Sequence, residues 1–230
     1  RMPEGKSDSE ESAAPGRGSG TGRGGAEHYF SAAPAVTAQL RERRVILAGA
    51  ERVVTVASGI FSPEGVDRGT AVLLAEVPAP PPEGDLLDLG CGWGPIALTL
   101  ALRSPAARVW AVDVNERALD LLRRNAIALE CPGVRAGGPD TVPDEVAFDV
   151  IWSNPPIRIG KVALHALLAR WMPRLRAGGT AYLVVAKQLG ADSLQRWLAE
   201  NFPTYAVSRL ATDKGFRVLA VHRPASVDPA

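Results

Sequence analysis

A chain of 230 residues with 46% hydrophobic content has the size of one large domain and enough apolar material for a full core. No apolar run approaches the roughly 18 residues a spanning helix needs, and no charged-then-apolar leader opens the sequence, so a soluble, cytoplasmic protein is expected. The net charge of +1 is uneven: residues 81–150 carry 11 acids and 6 bases, whereas residues 151–230 carry 4 acids and 11 bases, an asymmetry that suits a basic side facing an anionic partner.

Residues 1–25 hold seven glycines, four bases and four acids and almost no large apolar side chain, a composition too poor in buried surface to offset its ordering entropy, so a disordered tail is expected. Order is expected from about residue 26, near His28-Tyr29-Phe30. A short helix over Val36–Arg44 comes next, then strands at Arg44–Leu47 and Val53–Ala57 around an Ala-Gly-Ala turn. A Gly/Pro-containing loop over 59–70 leads to a helix ending near Val77, and Pro78–Pro82 separate this extension (26–82) from a core (83–224) and a short tail (225–230).

From Asp85 the pattern alternates. Strands are expected at Asp85–Leu89, Arg108–Asp113, Val134–Ala136, Phe148–Ser153 and Thr180–Ala186, and helices at Pro95–Arg103, Glu116–Glu130, Lys161–Leu175 and Asp192–Asn201. In the third of these helices Leu164, Leu167, Leu168, Trp171 and Leu175 share one face. Ala206–Leu210 and Phe216–Val221, joined by Ala-Thr-Asp-Lys-Gly, read as a hairpin. Repeated βα units ending in a hairpin give an α/β fold, a doubly wound and mostly parallel sheet with an antiparallel end and an N-terminal β-hairpin extension.

Asp88-Leu-Gly90-Cys91-Gly92-Trp-Gly94 follows the first core strand and opens a helix, a place where glycines let the backbone approach a ligand closely. Gly92-x-Gly94-x-x-Ala97 also fits a dinucleotide fingerprint, in isolation a weak signal. Against a phosphate-bearing cofactor stand the acid Asp88, placed at the mouth of the loop, and Pro95, which removes an N–H that a phosphate would use. S-adenosylmethionine has no phosphate and carries an ammonium and a sulfonium, which suit an acid-bearing loop. Asp113, followed by Val114 and Asn115, ends the second strand 19 residues after Gly94, where a carboxylate can take both ribose hydroxyls. Asp113 could instead cap the next helix, but Asn115 fills that role better.

Trp152-Ser-Asn154-Pro155-Pro156 closes the fourth strand. Two prolines stop a ladder and hold the chain extended, leaving an amide side chain and carbonyls on a rigid rim. Asn154 Oδ1 and the Pro155 carbonyl can each accept one N–H of a planar amine and aim its lone pair at a methyl group, with Asn154, Pro155 and Pro156 as the reacting rim. His28, His165 and His222 have no partner at ligand spacing, so no metal is expected. Cys91 and Cys131 form no C-x-x-C pair and read as neutral thiols in a reducing compartment.

These stretches together resemble class I S-adenosylmethionine-dependent methyltransferases, in particular the "small domain" family that includes rRNA guanine-N2 methyltransferases, and they look like its stand-alone, single-domain members. Gly59-Ile-Phe61-Ser through Asp67-Arg-Gly-Thr70 is similar to a family element that helps close the cofactor site, and Asn154 through Lys161, Lys187-Gln-Leu-Gly-Ala191 and Gly215-Phe-Arg-Val218 carry the likeness onward. The resemblance implies S-adenosylmethionine as cofactor, with Phe61, Asp67, Thr70 and Asn154 joining the loop residues around it, and it points to Asp140 for the adenine contact expected after the third strand. The partner it implies is ribosomal RNA or a ribosomal subunit, and monomer and homodimer are both compatible with it. Arg158 and Lys161 would meet phosphate, with Arg170, Arg174, Arg176, Arg209, Lys214 and Arg217 extending the basic side. One departure is Ile157, which stands where many members place a base-stacking aromatic and leaves the grip on a base to Ile157 itself, Trp152 or Phe61. Two alternatives stand beside RNA methylation: N5-glutamine methylation of a translation factor, and a non-catalytic RNA-binding or ribosome-assembly protein on the same fold.

Overall fold

The computed structural model describes residues 39–60 and 62–225. The expected N-terminal tail, the ordered start at His28 and the position of Phe61 lie outside the described residues. The elements in chain order are β1 (Leu40–Leu47), β2 (Ala50–Ala57), α1 (Arg68–Glu76), β3 (Asp85–Leu89), α2 (Pro95–Arg103), β4 (Arg108–Val112), α3 (Glu116–Ala128), β5 (Val134–Gly137), β6 (Phe148–Ser153), α4 (Lys161–Trp171), β7 (Leu175–Ala186), α5 (Ala191–Asn201), β8 (Ala206–Asp213) and β9 (Phe216–His222). β1 and β2 form a separate hairpin, and the other seven strands form one sheet in the order β5-β4-β3-β6-β7-β9-β8. β3 to β7 run parallel, and β9 inserts antiparallel between β7 and β8.

Alternation along the strands divides the core into two layers. Leu86, Val109, Ala111, Val150, Trp152, Val184 and Val218 face α1, α2, α3 and the hairpin. Leu87, Leu89, Val112, Ile151, Leu183, Val185 and Leu219 face α4 and α5. Among the described residues no helix is long and apolar enough to cross a membrane.

Two boundaries differ from expectation. Residues 40–44, expected at the end of a helix, are strand: Val45 and Leu47 turn inward while Leu40 and Ile46 stay exposed, and every residue of β1 pairs with one of the valine-rich β2. The helix-favouring run Arg41-Glu-Arg-Arg44 masks that two-residue period, and cross-strand packing overrides local propensity. The turn is also shorter, Ala48-Gly49 with both φ positive, as a two-residue hairpin requires. Leu175 leaves the helical face assigned to it: α4 stops at Trp171, a single 3-10 turn holds Pro173, and Leu175 begins β7 opposite Phe148.

Beyond its apolar packing, one polar side chain ties the hairpin to α3. Asn125 is buried on α3 in line with Ala118 and Leu122, and its amide copies a strand edge: Oδ1 accepts from Thr55 N at 2.7 Å and Nδ2 donates to Thr55 O at 2.9 Å. The same Nδ2 lies 3.4 Å from the carbonyl of Trp93 in the glycine loop. Asn125→Ala leaves both Thr55 groups unmatched and is expected to cost about 2–3 kcal/mol, read as a fall in the urea midpoint. A loss under about 0.5 kcal/mol would show that water replaces the amide.

Candidate active site

β3 and β6 are neighbours in the sheet, and from them the chain winds outward in opposite directions, to β4 and β5 on one side and to β7 on the other. The carboxyl ends of two such strands form the crevice where open α/β sheets take ligands. The buried Ser153 hydroxyl ties these ends together, donating to the Leu89 carbonyl at 2.6 Å. A Cβ built on Gly90 would stand 3.8 Å from Pro156 Cδ, so the glycine loop and the Asn-Pro-Pro rim touch.

The loop is held from three sides. Gly90 N and Cys91 N donate to the Val112 carbonyl at 2.8 and 3.0 Å. Asp113 receives Gly92 N on Oδ2 at 2.8 Å and Asn115 N on Oδ1 at 2.9 Å. Asn115 caps α3, accepting from Arg117 N and Ala118 N, which leaves Asp113 to the loop. At Gly94, with φ near 101°, a Cβ would fall 2.1 Å from Leu122 Cδ1, so only glycine lets α2 start this close to α3. Around Gly92 a Cβ would meet nothing within 4 Å, so this is the loop's open side.

Asp88 corrects the sequence reading. Its carboxylate is not at the mouth of the loop but fully buried beneath α2, where Oδ2 accepts from Ala97 N at 2.9 Å. It stands in for the side-chain cap that Gly94 lacks and puts negative charge at the helix start. Oδ1 has no hydrogen-bond partner among the described residues. Burial raises the Asp88 pKa well above the usual carboxylate value, opposed by the Ala97 N–H and reinforced by the nearby Asp113 charge. Burial, then the Asp88 and Asp113 charges, likewise pushes the Cys91 thiol up, so it stays protonated and unreactive.

Asn154 is half-buried, and its Nδ2 donates to Asp67 Oδ2 at 2.6 Å and Thr70 Oγ1 at 3.1 Å. Its Oδ1 accepts no hydrogen bond from the described residues. Asp67 and Thr70, expected around a cofactor, meet the rim through these bonds. The Pro155 carbonyl already accepts from Ile157 N at 2.8 Å and keeps one lone pair.

Other expected site residues divide. Trp152 is 0% exposed and packs in the core with Val150 and Val184, so it cannot stack on a base. Ile157 opens a 3-10 turn and packs toward the α4 and α5 layer. Val114 stays exposed beside Asp113. Asp140 sits in a 3-10 turn after β5, where Arg170 takes its carboxylate at 2.7 Å. The basic residues also separate. Arg174 binds the Pro143 and Val146 carbonyls, Arg176 binds Asp149, and Arg209 and Arg217 both meet Asp192. Lys214 lies 3.6 Å from Asp213. Arg158 and Lys161, beside the rim, are exposed with no ion pair among the described residues, as are Arg68 and Lys187, which the sequence reading did not single out as phosphate contacts. The sequence reading also passed over Ser153 and Asn125; for the latter the signal is a polar residue on an apolar helical stripe. His165 stacks on Trp197 at 3.9 Å, and no group of three His, Cys, Asp or Glu among the described residues is placed to hold a metal.

Residues 51–220 match the family model of the methyltransferase small domain. The chain belongs to this family. It is 35% identical to the protein YbxB of Bacillus subtilis over 84% of its own length and 96% of that protein. It is also 35% identical to the ribosomal RNA small subunit methyltransferase C of Pseudomonas aeruginosa over 77% of its own length, but spans only 53% of that relative. Among solved structures it resembles a 16S rRNA N2 methyltransferase of T. thermophilus in complex with AdoMet and guanosine, with a TM-score of 0.69 and 26% identity over 83% of this chain and 52% of that one.

Asp88 makes the site's electrostatic cost measurable. Its raised folded pKa means that stability is fully present below the unfolded value of about 3.9 and lost as pH rises toward the folded one. The ligand-free Asp88→Asn protein is therefore expected to melt about 2–4 °C above wild type at pH 7, with the gain gone near pH 4. A gain constant across that range would remove the buried charge as its cause.

Proposed function

We propose that this protein transfers a methyl group from S-adenosylmethionine to an exocyclic amine of RNA, guanine N2 of ribosomal RNA being the target. The observation that carries the reading is the Asn154 amide, held by its nitrogen so that Oδ1 is left open on the rim beside the glycine loop.

The residues present fit the cofactor. Gly92 has open space on its free side, and Asp113 stands at the end of β4 where a ribose is bound in such folds. When bound, S-adenosylmethionine supplies an electrophilic methyl on a sulfonium. Asn154 Oδ1 and the free lone pair of the Pro155 carbonyl then hold the two N–H bonds of the amine, whose own lone pair is otherwise spread into the ring. Both acceptors bind more tightly as positive charge grows on nitrogen, so they favour the transition state over the ground state. Alignment on a rigid proline rim supplies a further part of the rate.

The choice of RNA rests on Arg68, Arg158, Lys161 and Lys187, exposed cations that have no ion pair among the described residues and suit phosphates, and on the names of the relatives. Ile157 stands where an aromatic is expected for either an RNA or a glutamine substrate, so the labelling experiment, not this position, separates the two.

Asn154→Ala is expected to keep cofactor affinity within about twofold by titration calorimetry while the transfer rate falls about 100- to 1,000-fold. Labelled methyl transfer should mark naked rRNA or a ribosomal subunit and leave tRNA and release factors unlabelled. Label on a release factor would move the reading to glutamine, and full activity in Asn154→Ala would remove the rim from the chemistry.

A further inference from the structure

We infer that Asp67 and Thr70 are positioning residues that select which end of the Asn154 amide faces the substrate, an inference that rests on the proposed methyl transfer for its rate consequences alone. A side-chain amide has two nearly isosteric ends of opposite character. Turned one way, Asn154 offers an acceptor to an amine; turned the other, it offers donors and repels it. The rim prolines fix the backbone but leave this choice open.

Asp67 closes it. An ionised carboxylate only accepts, so the 2.6 Å contact to Asp67 Oδ2 requires the NH2 end of Asn154 there, and Thr70 Oγ1 receives the second N–H at 3.1 Å. Drawing both N–H groups toward oxygen also polarises the amide and makes Oδ1 a stronger acceptor. Three residues of Asp67-Arg-Gly-Thr70 then have a physical reason. The same Asp67 oxygen caps α1 through Thr70 N at 3.0 Å, so the helix start and the amide hold share one carboxylate. At Gly69 a Cβ would stand 3.1 Å from Asp67 Oδ2 and 3.0 Å from Phe216, so a larger residue would press on the carboxylate that does the holding. The Asn154 contacts bridge 84 to 87 residues of sequence and couple α1 to the end of β6.

Serine separates the two duties of Asp67, since it caps a helix about as well as aspartate but is too short to hold Asn154. In the full-length chain, Asp67→Ser is expected to keep the melting temperature and cofactor Kd near wild type and to lower kcat about 10- to 100-fold without a matching rise in KM. Asp67→Asn, whose Oδ1 can serve both bonds, should recover most of that loss, and Thr70→Val should cost less than Asp67→Ser. A second readout needs no substrate. With selective Asn 15N labelling and Asn154→Ala for assignment, the wild-type Asn154 NH2 pair should be shifted from the free-amide position and protected from solvent, and should return to that position in Asp67→Ser. A wild-type pair at the free-amide position, or one unmoved by Asp67→Ser, would overturn the inference. So would a kcat loss that merely follows cofactor affinity. Wild-type protein that methylates none of the RNAs or proteins offered, with the shifted pair still present, would count against the proposed function while leaving the amide hold supported.

Discussion

A single hydroxyl ties together the two halves of this site where the β3–β6 ladder ends. Ser153 ends β6 and donates to the carbonyl that ends β3, 64 residues earlier, with both residues buried. The β3–β6 ladder pairs Asp88 with Trp152, and this bond carries the contact one residue further. With it the glycine loop and the proline rim emerge side by side, close enough for Gly90 and Pro156 to approach one another. Everything else that shapes the crevice builds on this pairing: Asp113 draws Gly92 down, Asp88 anchors the helix that follows, and Asn154 projects from the next residue along.

The division of labour among the acids explains why so many surround a ligand site. Asp85 takes Arg108 and the Trp110 indole at the opposite end of the sheet and has only a structural task. Asp88 sustains a helix start from within the core, Asp113 pins a loop through both oxygens, and Asp67 serves a helix and an amide at once. Each carboxylate is matched to backbone or side-chain N–H groups of the chain itself, so the site's architecture is set before any ligand arrives.

The sequence made much of this legible, and for identifiable reasons. The βα alternation from Asp85 onward, the run Asp88 to Gly94 and the Asn-Pro-Pro stop are local signals, because turn chemistry and burial period are written in adjacent residues. What stayed hidden depends on contacts across the chain. Trp152 reads as a stacking residue beside the rim, but alternation along β6 turns it into the core. Arg174 and Arg176 read as a basic surface, but carbonyls and Asp149 engage them at the far end of the sheet. Asp67 and Thr70 read as part of a cofactor lid, and only the folded chain brings them to Asn154.

The sorting of cations between the two ends of the sheet has a consequence for how the molecule answers to ionic strength. The arginines that hold the amino end bond carbonyls or partly buried carboxylates, interactions that mobile ions screen weakly. Those around the crevice stand open to solvent, where screening acts in full and where a polyanion would be held by displacing counterions. Rising salt should therefore strip such a ligand from the crevice over a range in which the fold itself barely responds, so that a change of medium alone separates occupancy from stability.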